Sequence, residues 1–376
     1  MKILHLTTHL NVGGITSYLF ALSRQYLKKG HRVFLASAGG VRECEFEKLG
    51  VAVFHAPLKT KSEVNPRVFY HVPRFLKFIR ANQIEVIHSH TRVTQVLGQV
   101  LSWFSGVPYV STCHGFYKTR WFRRVFPSWG MAAVAISPPV KEHLIQDFKM
   151  PADRVFLIQN GIDGDAFYQL TDDRRAASRQ NFKITQGPVL GMVSRLADTK
   201  GHDVLIHAMP LILKKFSQAL LFIAGEGKMQ AKLKQQVADM DLKGHVHFAP
   251  VFNPSGRILS LFDIFVMPSL DEGFGLSGME AQLVGLPVVA SDVGGIPTFV
   301  HHEKTGLLVP PGDPVKLAEA IIRVLQDKGL ALRLGSQARE FILQNFSAAV
   351  MADKTLSMYE YALGLKRTRP NRGPAK

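Results

Sequence analysis

The chain has 376 residues, too many for one ordinary hydrophobic core and enough for two domains of roughly 150 to 200 residues each. An apolar fraction of 46% excludes a largely disordered protein. The two cysteines, Cys44 and Cys113, lack metal-ligand spacing. This pattern excludes a disulfide framework and a cysteine metal site, and it indicates free thiols in a reducing compartment.

Positive charge is concentrated at the two ends of the chain. Residues 1–160 contain 21 Lys and Arg against 8 Asp and Glu, residues 161–364 contain 20 against 21, and residues 365–376 contain 5 against none. A basic first half beside a neutral second half predicts that only the first half faces a polyanion or an anionic membrane.

Two features bear on localisation. Lys2 is followed by only a short apolar run, so no secretory signal is visible. Residues 94–117 carry no charged side chain, but polar residues and a turn from Gly106 to Pro108 interrupt them, which favours a buried helix followed by a strand over a membrane span. We expect a cytoplasmic protein.

The chain begins with a βαβ pattern: a strand over residues 3–6, a helix over 16–29 and a strand over 32–36. The loop 11–14 opens the helix, where the backbone N–H group of Gly14 could meet a phosphate or an acceptor hydroxyl. A tight turn without a ligand would have the same letters.

The alternation of strands and helices continues through the first half. Further strands are predicted at 51–55, 86–90, 109–112, 133–136 and 155–158. This order predicts a doubly wound parallel sheet, which binds ligands at the carboxyl ends of its strands. His114 follows such an end beside a glycine, so its imidazole could enter a cleft as a hydrogen-bond partner or a proton carrier.

Two basic segments of the first half contain apolar faces or aromatic residues. Residues 65–81 predict one amphipathic helix, which either packs with a solvated basic face or contacts anionic lipid. Residues 117–129 mix four cations with five aromatic side chains and contain no acid. This mixture favours a bilayer interface, with a buried loop and a site for single-stranded nucleic acid as alternatives.

The second half opens after a charged segment, 166–186, that we interpret as the connection between domains. Arg195 follows a strand predicted at 189–193, and Lys200 precedes a helix predicted at 202–212. Two cations at a strand end and a helix start could bracket a diphosphate, or they could be a pair of surface charges. Gly225 lies in a turn that would let backbone approach a ligand, and Val251 is in a suitable wall for a nucleobase.

The stretch 265–311 carries two carboxylates, Glu272 and Glu280, separated by a glycine-rich loop that leads into a short helix. Free N–H groups and the positive end of the helix dipole there suit an anionic group, while the carboxylates can accept hydrogen bonds from hydroxyls. A nucleotide sugar carries both kinds of group. Helices at 315–326, 330–345 and 348–363 complete the chain before the basic tail 365–376.

These motifs together resemble the retaining family-4 glycosyltransferases of the GT-B fold, over about residues 1–345 and in the expected order. The segments that carry the resemblance read GGIT, CHG, NGID, SRLADTKG, AGEG and DEGFGLSGMEAQLVGLPVVASDVGGIPTFVHHEKTGLLVPPGDP. The resemblance implies two facing Rossmann-like domains with doubly wound parallel sheets. Residues 1–165, joined by a helix at about 348–364, would bind the acceptor, and 187–347 would bind the donor nucleotide sugar.

The resemblance also assigns roles to single residues. Arg195 and Lys200 would neutralise the donor diphosphate, Glu280 would bind the ribose, and Glu272 and His114 would meet the donor sugar. The remaining donor-binding residues would be Gly14, Gly225, Val251, Gly273, Phe274, Gly275 and Leu276.

A departing diphosphate gains negative charge that Arg195, Lys200 and the loop dipoles could stabilise. The sequence shows no acidic triplet in the context of a metal site. We therefore expect retaining, metal-independent transfer of a sugar to a glycan or lipid-linked acceptor, with no cofactor. A UDP-sugar is the favoured donor. Family members of this kind bind the inner membrane leaflet, so 65–81, 117–129 and 367–376 are candidate contacts. The alternatives are a nucleotide-sugar epimerase or hydrolase, and an inactive polyanion-binding protein of this fold.

Overall fold

The computed structural model describes residues 1–60, 62–119, 121–164, 169–182, 184, 187–250 and 256–368. The chain divides into two compact units. The first comprises Met1–Gly161 and the segment from Ala348 onward, and the second comprises Ile162–Ser347.

The first unit contains a parallel sheet with the strand order β3-β2-β1-β4-β5-β6-β7. Its strands are β1 (Lys2–Leu6), β2 (Arg32–Ser37), β3 (Ala52–His55), β4 (Val86–Ser89), β5 (Tyr109–Cys113), β6 (Ala132–Ala135) and β7 (Val155–Leu157). The helices of residues 1–161 are α1 (Gly14–Lys28), α2 (Glu43–Leu49), α3 (Pro66–Tyr70), α4 (Val72–Asn82), α5 (Arg92–Ser105), α6 (Trp121–Val125) and α7 (Pro138–Gln146). Because the order reverses between β1 and β4, the topological switch point lies there.

The second unit repeats this plan with the parallel strand order β10-β9-β8-β11-β12-β13. Its strands are β8 (Val189–Val193), β9 (Leu220–Ala224), β10 (Val246–Ala249), β11 (Ile264–Met267), β12 (Val288–Ser291) and β13 (Leu307–Val309). Its helices are α8 (Asp172–Asn181), α9 (His202–Leu213), α10 (Gln230–Asp239), α11 (Gly256–Leu259), α12 (Leu276–Leu283), α13 (Pro314–Gln326) and α14 (Lys328–Asn345). The switch point lies between β8 and β11.

The strands form because short apolar runs are buried on both faces, as parallel sheets require. The buried core residues Ile3, Leu4 and Leu6 of β1 are fully enclosed, as are Phe265 and Val266 of β11. Helices on both faces of each sheet bury these runs, so the doubly wound α/β class predicted from the sequence is confirmed.

Three local predictions differ from the structure. The helix predicted at 65–81 is two helices, α3 and α4, that meet at His71, because Pro73 cannot donate a hydrogen bond to the carbonyl of Phe69. The predicted connection 166–186 contains α8, and Arg175 Nη1 of this helix lies 2.9 Å from Asp263 Oδ1 in the same unit.

The third difference is at the end of the chain. The last helix, α15, is Ala348–Thr368, so the beginning of the predicted basic tail is helical. Tyr359 of α15 is buried in the first unit, where its hydroxyl lies 3.3 Å from that of Tyr26. Residues 369–376 are outside the described part of the chain. Every helix in the described part of the chain is too short or too polar to span a bilayer.

Candidate active site

In the second unit, two predicted residues meet at the carboxyl edge of the sheet. Lys200 follows β8 and Glu272 follows β11, the strands that flank the switch point. Lys200 Nζ lies 2.7 Å from Glu272 Oε2, and the hydroxyl of Ser269 lies 3.4 Å from the same oxygen. The charged side chains are only 17% and 14% exposed. A cation and a carboxylate predicted as separate ligand contacts therefore form one largely buried ion pair.

Arg195, the other predicted cation, lies two residues after the end of β8 and is exposed. Within the described ranges its guanidinium has no hydrogen bond or ion pair, so it is open to a ligand. Glu280 lies one turn after the start of α12 and is partly exposed. Of the four charged residues predicted for this edge, Arg195 is an open cation, Lys200 is a paired cation, and Glu272 and Glu280 are carboxylates.

Glycines allow the loops of this edge to pack backbone against backbone. A Cβ atom at Gly201 would lie 1.8 Å from the carbonyl oxygen of Pro268, and one at Gly294 would lie 2.0 Å from that of Glu272. Gly295 also donates a backbone hydrogen bond of 2.9 Å to Glu272. No side chain fits at either glycine, so these close approaches fix the backbone that carries Glu272.

The loop that follows Glu272 leads into α12 and presents donors. Gly275 has a φ of 105°, a left-handed conformation that favours glycine, and Phe274 is buried against Phe299. The backbone N–H groups of Gly273, Phe274, Gly275 and Leu276 have no acceptor among the residues described. Open N–H groups beside the positive end of a helix dipole favour an anion.

Gly225 is a further predicted donor contact, and its backbone is packed within the second unit. The N–H group of Gly225 donates to the carbonyl of Ala249 at 3.1 Å, and a Cβ atom there would lie 1.8 Å from the carbonyl oxygen of Ser194. Gly225 therefore joins two loops, and its N–H group is not available to a ligand. Val251 lies outside the described residues.

In the first unit, His114 follows β5 and is half-buried, with the ring of Tyr18 edge-on at 4.9 Å between centroids. Burial lowers the pKa of His114 to about 3. The imidazole is therefore neutral at pH 7, which favours hydrogen bonding over proton transfer among the two roles predicted. Gly14 begins α1 and is exposed, so the start of this helix is accessible.

Three further histidines of this unit were missed by the sequence analysis. His5 of β1, His88 of β4 and His90 are fully buried at the switch point, and His5 is the register partner of His88. The spacing of His88 and His90 was the available signal, because residues two apart at a strand end share one face of a sheet.

The first unit also exposes large apolar side chains. Trp121 and Val125 of α6 are 77% and 63% exposed, and Trp103 near the end of α5 is 61% exposed and touches Phe126. Within the predicted contact 117–129, however, Trp129 is buried.

The charges of this surface are also partly satisfied within the chain. Arg123 pairs with Glu63, so its cation is not available to a membrane. On α3 and α4, Arg67, Arg74, Lys77 and Arg80 are exposed.

Two doubly wound parallel units with polar carboxyl edges are the architecture of the GT-B class, and solved structures agree. The chain superposes on Anabaena HepE, solved with UDP and glucose, with a TM-score of 0.85 and 23% identity over 96% of this chain and 100% of that one. For WaaG, described as a glycosyltransferase involved in lipopolysaccharide biosynthesis, the TM-score is 0.75 with 16% identity over 98% and 100%. These likenesses show the GT-B fold.

Sequence comparisons identify the family. The model of the glycosyl transferases group 1 matches residues 173–341, and that of glycosyltransferase family 4 matches 12–166. An uncharacterized glycosyltransferase of Methanocaldococcus jannaschii is 27% identical over 94% of this chain and 95% of its own length. An Escherichia coli α-1,3-galactosyltransferase that uses UDP-Gal is 27% identical over 75% and 77%. The chain belongs to family 4 of the glycosyltransferases, in group 1, and is a glycosyltransferase.

Proposed function

We propose that the protein is a retaining, metal-independent glycosyltransferase that moves a sugar from a nucleoside diphosphate sugar, with UDP favoured, to a glycan or lipid-linked acceptor at the cytoplasmic membrane face. The observation that carries this proposal is the ion pair of Lys200 and Glu272, which lies at a switch point. The same loop continues from Glu272 into the open N–H groups of Gly273 to Leu276.

The ion pair suggests how donor binding prepares the site. A donor diphosphate would compete with Glu272 for the ammonium of Lys200, and the exposed Arg195 could bind the same diphosphate through its planar fork. Released from Lys200, the carboxylate of Glu272 can accept hydrogen bonds from hydroxyls of the donor sugar. Donor binding thus exchanges one anionic partner of Lys200 for another, while hydrogen bonds from sugar hydroxyls replace the ion pair at Glu272.

The same groups supply the charge that the reaction needs. The leaving diphosphate becomes more negative in the transition state, so cations and helix dipoles aimed at it accelerate transfer. Arg195, Lys200 and the start of α12 offer that positive charge from the protein itself, which supports transfer without a metal. We infer retention by attack on the same face of the sugar, with the leaving phosphate accepting the acceptor proton. Glu280 would bind the ribose, and His114 the sugar.

The preference for UDP comes from relatives. HepE was solved with UDP and glucose, and the E. coli relative uses UDP-Gal. Other relatives are described as GDP-mannose-dependent mannosyltransferases of phosphatidylinositol monomannoside, at 31% identity over 54% of this chain. Their lipid acceptors, like the diphosphoundecaprenol acceptor of the E. coli relative, support a lipid-linked acceptor here.

The surface of the first unit supports work at a membrane. Trp103 and Trp121 are exposed aromatic side chains, and α4, which packs against α5, carries exposed basic residues. Aromatic rings at headgroup depth and cations on lipid phosphates stabilise peripheral binding. Liposome flotation should recover more protein with anionic than with neutral lipid. Equal recovery would contradict the electrostatic part of this proposal.

Turnover tests the proposed reaction. The protein is incubated with UDP-, GDP- and ADP-sugars, with and without a membrane lipid extract as acceptor, and nucleoside diphosphate release and sugar incorporation are measured. We expect release that depends on the extract, with equal incorporation into lipid. Nucleoside diphosphate release at the same rate without any acceptor would instead identify a hydrolase. Tight donor binding without release would identify an inactive binding protein.

A further inference from the structure

Four histidines of the first unit lie together around the switch point of its sheet. His5, His88 and His90 are fully buried, and His114 is half-buried at the carboxyl end of β5. The proposed function gives a role only to His114. Buried imidazoles in such number need an explanation, because each buried polar atom requires a partner.

Three of them form a continuous hydrogen-bonded chain. His5 Nδ1 lies 2.9 Å from His90 Nε2, and His90 Nδ1 lies 3.2 Å from His114 Nε2. His90 therefore uses both ring nitrogens to connect the buried interior to the residue proposed to meet the sugar. At the inner end, His5 Nε2 is buried without a partner among the described residues.

His88 lies beside this chain but is not part of it. Its Nδ1 lies 2.6 Å from the hydroxyl of Tyr359, and its Nε2 lies 2.8 Å from the hydroxyl of Thr112. One ring nitrogen from each of His5, His88 and His90 lies within 4.8 Å of the other two, close enough to hold a metal ion. Both nitrogens of His88 are already hydrogen-bonded, however, and the 2.9 Å contact of His5 with His90 is an ordinary hydrogen bond, so a hydrogen-bonded network explains the cluster better.

The chain consists of neutral imidazoles. Burial lowers the pKa of His5 to about 3 and holds the pKa of His90 well below its ordinary value, because desolvation disfavours the charged form. A neutral imidazole carries one N–H group, so each ring donates at one nitrogen and accepts at the other. The three protons must therefore all point in the same direction along the chain.

The unpartnered nitrogen of His5 selects the direction. If the protons pointed inward, His5 Nε2 would be a buried N–H donor without an acceptor, which is rare and costly. If they point outward, that nitrogen is only an unused acceptor. With the protons pointing outward, His5 Nδ1–H donates to His90 Nε2, and His90 Nδ1–H donates to His114 Nε2. His114 then carries its own proton on Nδ1.

We propose that His5 and His90 are positioning residues that fix His114 as the neutral Nδ1–H tautomer, so that it presents a hydrogen-bond donor to an oxygen of the bound sugar. This inference rests on the proposed function for its ligand. The tautomer itself is a property of the free protein and does not depend on the proposed function. The ring of Tyr18, edge-on to His114, would hold the orientation of the donor.

Nitrogen NMR on protein labelled at histidine nitrogens measures the tautomer directly. The chain has 15 histidines, so the His114 signals are assigned by their loss in His114→Gln. We expect a protonated Nδ1 and an unprotonated, hydrogen-bonded Nε2 at pH 7.5. A proton on Nε2 of His114 overturns the proposal, and so does a spectrum of metal-bound imidazoles from His5, His88 and His90.

Variants of His90 test the effect on catalysis. His90→Leu removes the chain, whereas His90→Gln can still accept from His5 through its amide oxygen and donate to His114 through its amide nitrogen. We expect His90→Leu to lose the fixed tautomer and its kcat to fall roughly tenfold, whereas the kcat of His90→Gln stays close to that of wild type. His88→Leu is the matched control, because it removes an equally buried imidazole outside the chain.

The outcomes separate this proposal from the proposed function. Loss of the fixed tautomer in His90→Leu without any loss of kcat overturns the positioning role. Equal losses in His90→Leu, His90→Gln and His88→Leu indicate a merely structural cluster and also overturn it. If His90→Leu does not fold, wild-type NMR and His90→Gln still decide the tautomer. A protein without glycosyltransferase turnover but with the Nδ1–H tautomer would contradict the function alone.

Discussion

The carboxyl edges of the two sheets keep polar side chains away from water in opposite ways. The second unit buries an ion pair, Lys200 with Glu272, on loops that glycines hold together. The first unit buries neutral imidazoles that satisfy one another, as in the contact between His5 and His90. The difference teaches that one fold can build a charged edge in one unit and an edge of neutral imidazoles in the other. Four predictions test this contrast.

Removal of the buried cation should have the largest effect. We expect Lys200→Ala to lower kcat/KM by about 100- to 1000-fold, since the cation acts on charge that develops in the transition state. Lys228→Ala is the matched control, because Lys228 pairs with Asp198 on the same edge but is 72% exposed. Steady-state kinetics measure both, and similar losses in the two variants would contradict the assignment.

Acid should destabilise the first unit before the second. The pKa of His5 is lowered to about 3, so its contribution to stability is complete above about pH 6.5 and is lost as the pH falls towards 3. At pH 5 the lowered pKa of His5 costs roughly 2 kcal/mol of unfolding free energy.

Tryptophan emission can follow this loss. Trp103, Trp121 and Trp129 are the three tryptophans of the chain, and all belong to the first unit, whereas circular dichroism reports both units. As the pH is lowered, we expect the tryptophan emission to change at a higher pH than the helix signal in circular dichroism. Coincident transitions below about pH 4 would contradict the neutral-imidazole account.

The packing of glycines should matter more than their backbone angles. Gly294 and Gly285 both have positive φ, at 57° and 89°, but only at Gly294 would an added Cβ atom meet another backbone, that of Glu272. We expect Gly294→Ala to cost about 3 kcal/mol and to abolish donor binding, and Gly285→Ala to cost about 1 kcal/mol. Urea unfolding and donor-induced thermal shifts measure these effects. Equal destabilisation would mean that strain, and not close approach, explains Gly294.

The smallest effect is expected at the surface of the first unit. Trp121→Ala should weaken flotation with anionic liposomes by roughly tenfold, because an exposed aromatic ring loses interfacial burial. Leu332→Ala removes a side chain that is 75% exposed on the second unit and should have no effect. A normal flotation of Trp121→Ala would exclude α6 from the membrane contact.

The sequence predicted the fold because buried strands and glycine turns are local patterns, and the strand Val189–Val193 was located to the residue. It could not predict contacts that depend on tertiary placement. Lys200 and Glu272 are 72 positions apart, and their ion pair exists only because β8 and β11 are neighbours.

Local competition and burial explain the other differences. Pro73 divided a helix that the apolar periodicity predicted as one. His5 and His90 gave no signal as a pair, since 85 positions separate them and only the sheet brings them together. The N–H group of Gly225 is engaged because a glycine in a turn can serve backbone packing as well as ligand approach.

Calorimetric titration tests most directly the central claim that a donor diphosphate takes Lys200 from Glu272. Whichever of UDP, GDP and ADP binds wild-type protein is titrated into Lys200→Ala and Glu272→Gln. Loss of a charged hydrogen bond should weaken binding to Lys200→Ala by about tenfold or more. Glu272→Gln, which removes the competitor, should bind the nucleotide at least as tightly as wild type while its turnover falls. Wild-type affinity in Lys200→Ala, or weakened binding in Glu272→Gln, would contradict the claim.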